Sequence, residues 1–121
     1  MAHLALRGAL QHSFPLVVAT FCYSEPGDRP QFEKFEAIAQ HDRGKLLPVF
    51  LHCSEDEIAR RIGNLDRAER RKLTSMAGLN RFRADYHDSP VPRANCIRLD
   101  TAARSADATA QEIIRHFSLN A

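Results

Sequence analysis

The chain lacks most of the local signatures by which a small protein announces its chemistry. Its three cysteines, Cys22, Cys53 and Cys96, are an odd number and widely spaced, so neither a disulfide framework nor a C-x2-C or H-x3-H zinc site is expected. All three read as buried free thiols near strand ends. No apolar run approaches the roughly 18 residues a membrane span needs, and the start, MAHLALRGALQHS, has neither a charged leader nor a long apolar stretch. The expected compartment is the cytoplasm, with no membrane partner. The five glycines are isolated, which excludes a Gly-rich phosphate loop ending in Lys-Ser/Thr. Gly44-Lys45 is followed by Leu46 and reads as a helix stop. Internal repeats and low-complexity tracts are also missing.

What is present is ordinary globular composition with one uneven charge. The 121 residues are 44% apolar and 26% charged, enough for a single domain with a core. From Arg60 to Arg83 there are eight Lys/Arg and two acids, Asp66 and Glu69, a net +6 in a chain whose total is +2. The rest of the chain is therefore acidic, and the local field suits an anion such as phosphate.

Hydrophobic periodicity sorts the chain into alternating strands and helices. Residues 2–12 read as a short helix. Residues 15–22, PLVVATFC, form a continuous apolar run of strand length, as expected where both faces are covered. Asp28 can cap a helix with Pro30 in its first turn, Phe32, Phe35, Ile38 and Ala39 on one face, and Gly44 as its stop. A second strand is expected at 45–53, with Pro48 hinting at an edge or a local break in pairing. Ser54 and Glu57 form a capping box for a helix that runs to Gly63. Thr74 can cap a helix containing Met76, Leu79, Phe82 and Tyr86. The alternation at 95–101 predicts a half-exposed strand, and Ser105 can cap a last helix with Ala110, Ile113, Ile114 and Phe117 on one side. The expected fold class is layered α/β: one domain over residues 1–121, with a mostly parallel sheet of about three strands flanked by helices.

The order of these segments carries a resemblance. VVATFCY, RPQFEKFEAIA, LLPVFLHCSEDEIARRI, RAERRKLT and the closing NCIRLDT strand and helix resemble the C-terminal portion of a small P-loop kinase-like protein of the shikimate or gluconate kinase type. The likeness covers about residues 10 to 118. It implies a lid-like basic segment at about 60–86 whose arginines close over nucleotide phosphates, a task suited to a planar, permanently charged fork. By position Arg67, Arg70, Arg71 and Lys72 are the phosphate-binding candidates, and Asp100 and Thr101, ending the last strand, are candidates for the turn near the nucleotide base. ATP and Mg²⁺ are implied by the resemblance alone. The chain departs from the family in having no Walker A loop and no strand before it, and it therefore reads as a truncated form that is inactive as a phosphotransferase on its own.

The family's five parallel strands are ordered 2-3-1-4-5, and the runs at 15–22, 46–53 and 95–101 correspond to the third, fourth and fifth. The missing first strand is central, so self-association or a complementary protein is expected to fill the gap. A protein-interaction module acting through an exposed sheet edge is the alternative reading. Weak nucleic-acid binding through 60–83 is a second alternative, disfavoured by the small net charge and by Phe82 and Tyr86 being the only aromatics nearby. Two further pairs of catalytic residue types, His52 with Cys53 and His87 with Asp88, stand alone, and the catalytic residues stay unassigned.

Overall fold

The computed structural model describes residues 16–41, 43–64, 67, 73–85 and 87–119. They are mixed helix and strand, with four helices and a two-stranded parallel sheet, compatible with a small α/β fold. Two compact units are present: one built on the chain up to Pro48 together with Asp88–Cys96, the other on Val49–His87 with Ile97 onward.

The first unit is organised by α1, Arg29–His41. Pro30 sits in its first turn, where a missing N–H costs nothing, and the i, i+3, i+6, i+7 set Phe32, Phe35, Ile38 and Ala39 is buried as its spacing predicts. Tyr23 packs edge-on against Phe32, with ring centroids 6.0 Å apart, and Phe21 against Phe35 at 5.3 Å. The segment 88–96 is tied to these elements. The Ser89 N–H donates to the Tyr23 carbonyl, Ser89 Oγ accepts from the Glu25 N–H, and Arg93 makes a two-pronged pair with Glu36 at 2.7 and 2.8 Å while lying over the Phe32 ring.

Both ends of α1 differ from the sequence expectation. The Asp28 carbonyl accepts the first helical N–H, from Phe32, but its carboxylate turns back to the Ser24 N–H at 2.9 Å. It closes the preceding turn instead of capping the helix. At the other end Arg43, not Gly44, takes the left-handed conformation, with φ 59°. The Arg43 N–H then donates to Gln40 O and the Gly44 N–H to Ala39 O, the paired bonds of a Schellman closure. Glycine eases a close approach one position later, where a Cβ on Gly44 would stand 3.2 Å from Ala39 O, a tight contact.

The strand expected over 15–22 is not formed in its described part, Leu16–Cys22. Strand composition alone cannot make a strand, since every ladder bond needs a neighbour. Leu16, Val18 and Phe21 are consequently exposed, at 56%, 83% and 42%, and Cys22, expected to be buried, is exposed as well. The helix expected at 2–12 lies outside the described residues.

The second unit contains the sheet. Strands β1, Val49–His52, and β2, Ile97–Asp100, pair in parallel with Val49 opposite Ile97 and Leu51 opposite Leu99. Both are shorter than 45–53 and 95–101, and among the described residues the sheet has two strands, not three. Pro48, with no N–H to give a ladder, stands immediately before β1. Burial differs between the two strands: Leu99 is buried at 7% exposure, whereas its register partner Leu51 is 53% exposed. Between the strands run α2, Glu55–Ile62, and α3, Met76–Asp85, and α4, Ala106–His116, follows β2. Ser54 and Ser105 cap α2 and α4 through N–H bonds from Glu57 and Ala108. For α3 the cap is Ser75, whose Oγ accepts from the Gly78 N–H, and not Thr74. On α4 the inward side is shifted from that expected: Thr109 is buried and Ala110 is exposed.

Candidate functional site

Where β1 and β2 end, their last residues are joined by a polar network. The His52 carbonyl accepts the Thr101 N–H at 2.8 Å and the Thr101 hydroxyl at 3.2 Å. Arg61, on α2, reaches the same turn from forty residues away. Its Nη1 donates to Thr101 Oγ1 at 3.0 Å, its Nη2 to the Thr101 carbonyl at 2.6 Å, and its Nε to Glu57 Oε1 at 2.6 Å. Glu57 in turn accepts from Arg60 Nε at 3.0 Å. The Arg60 and Arg61 hydrogen bonds lower the Glu57 carboxyl from its ordinary 4.5 to about 2, because they favour the charged form.

Local sequence explains how these groups meet. Ser54 starts α2 immediately beyond the β1 end, and the i, i+3 and i, i+4 spacings from Glu57 bring Arg60 and Arg61 beside it. The expected capping box is half used: Ser54 accepts from the Glu57 N–H, but the Glu57 carboxylate is directed to the two arginines. Glu55 makes a separate pair, accepting from Arg83 Nη1 of α3 on both oxygens at 2.8 Å. The first turn of α2 thus holds Glu55, Asp56 and Glu57, which complement the positive end of the helix dipole. An anion arriving at that helix end would meet three carboxylates.

The sequence-derived candidates are distributed unevenly. Thr101 is in the network and bound to Arg61. Asp100 is exposed, and its Oδ1 accepts the Ala102 N–H at 2.9 Å, closing the turn after β2. Arg67 is half-buried and donates from Nε to the Leu73 carbonyl at 3.0 Å. Arg70, Arg71 and Lys72 lie outside the described residues. His52 is exposed, with its ring stacked on Phe50 at 5.8 Å, and Cys53 is a half-buried free thiol. His87 and Asp88 are exposed. Arg61 is the member that sequence reasoning passed over; its signal was the Glu57–Arg61 spacing, which marks it as an ordered arginine although not as Thr101's partner.

In the first unit, Phe32, Glu36, Gln40, Lys45, Leu46 and Asn95 border a shallow cleft of about 300 Å³. Two of its polar groups are engaged with neighbours: Glu36 with Arg93, and the Asn95 amide with the Leu46 carbonyl at 3.2 Å. Beside it the buried Tyr23 hydroxyl donates to Glu25, which also pairs with Arg29. Burial first, and then the Glu25 carboxylate, raise the Tyr23 phenol above its ordinary range, so this tyrosine stays protonated and donates. Among the described residues no group of three or more His, Cys, Asp or Glu could hold a metal ion, and no helix is long and apolar enough to cross a membrane.

Compared with known proteins, the chain matches no family model, no curated protein and no solved structure.

Proposed function

We propose that this chain is a P-loop kinase-like domain without its phosphate-binding loop, which transfers no phosphate by itself. The observation that carries the reading is the parallel adjacency of β1 and β2. These are the two segments that the resemblance ranks fourth and fifth, and the 2-3-1-4-5 order requires them to be neighbours. The run ranked third, whose partner in that order is the absent first strand, makes no strand pairing in its described part. Two further features support the reading. The connection from β1 to β2 carries Arg60, Arg61 and Arg67, where a lid would lie, and the ends of the strands converge on Thr101. What the sequence lacks is the Gly-rich loop ending in Lys-Ser/Thr whose backbone amides cradle the transferring group in such enzymes.

Phosphate release and phosphoryl transfer are measured with the purified chain and Mg²⁺-ATP, alongside Arg67→Ala, and a calorimetric titration follows nucleotide binding. No turnover above buffer is expected. Heat of binding that disappears in Arg67→Ala would mean that the basic segment keeps a nucleotide contact without catalysis. Mg²⁺-dependent turnover abolished by Arg67→Ala would overturn the proposal.

A further inference from the structure

We draw no further inference here: the strongest candidate, the shallow cleft of the first unit beside Gln40 and Lys45, is bordered largely by exposed side chains, its Glu36 carboxylate is already held by Arg93, and nothing in the structure shows what would occupy it.

Discussion

Glu57 shows how much one side chain can organise over a short distance. Its backbone N–H completes the cap of α2, and its carboxylate holds Arg60 and Arg61, the second of which grips Thr101 at the end of β2. With its carboxyl lowered to about 2 in the folded chain, Glu57 stabilises the fold fully above 4.5, the ordinary value of the group, and that contribution disappears as the pH falls towards 2. Glu57→Gln is therefore expected to be less stable than the wild type at neutral pH, with the difference closing between pH 4.5 and about 2. Urea midpoints measured across that window check it; a gap that stays constant down to pH 2 would mean that Glu57 acts through packing and not through charge. The arginine pair was visible in the sequence. The Arg61–Thr101 bond was not, because it joins residues forty apart and depends on the distance between a helix and the end of a strand.

At the scale of elements, helix ends were the most readable feature and also where single positions went astray. Ser54 and Ser105 cap as expected, since a cap is settled within four residues. Thr74 and Ser75 offered two adjacent hydroxyls, and the helix took the second, whose Oγ lies 3.1 Å from the Gly78 nitrogen. Ser75→Ala is expected to cost about 1 kcal/mol, as the loss of an N-cap commonly does, and Thr74→Ala a few tenths. Thermal denaturation of the two variants distinguishes them; equal losses would mean that the hydroxyls share the role. The end of α1 has a related cause. Composition marked Gly44, but the left-handed residue is Arg43, and Gly44 makes the close approach to Ala39 O that a Cβ would tighten. The end of α4 is closed without glycine: Ser118 has φ 54°, and the Leu119 N–H donates to Ile114 O.

For the whole molecule, the question is how so small a sheet is held. Leu51 and Leu99 face each other across the ladder, yet one is exposed and the other buried. Leu99→Ala is expected to lose about 2–3 kcal/mol through lost burial and a residual cavity, and Leu51→Ala under about 1. Urea denaturation measures both, and similar losses would mean that Leu51 is as enclosed as Leu99. The +6 between Arg60 and Arg83 is partly neutralised by position: Arg60 and Arg61 share Glu57, and Arg83 pairs with Glu55. A charge count along the sequence therefore overstates the field that this part of the segment presents.

The sequence by itself determined what depends on near neighbours: the helical periodicity that buries Phe32, Phe35, Ile38 and Ala39, the serine caps of α2 and α4, the break at Pro48, and the succession of strand-like and helical segments. These follow from backbone sterics and from hydrogen bonds closed within about one turn. Tertiary structure alone decided which strand-like runs became strands. Val49–His52 and Ile97–Asp100 found each other across the chain, whereas Leu16–Cys22, with the strongest strand composition of the three, found no partner among the described residues. It also decided that Arg61 would hold Thr101. A strand is a relation between two segments, so neither segment's residues can state it alone.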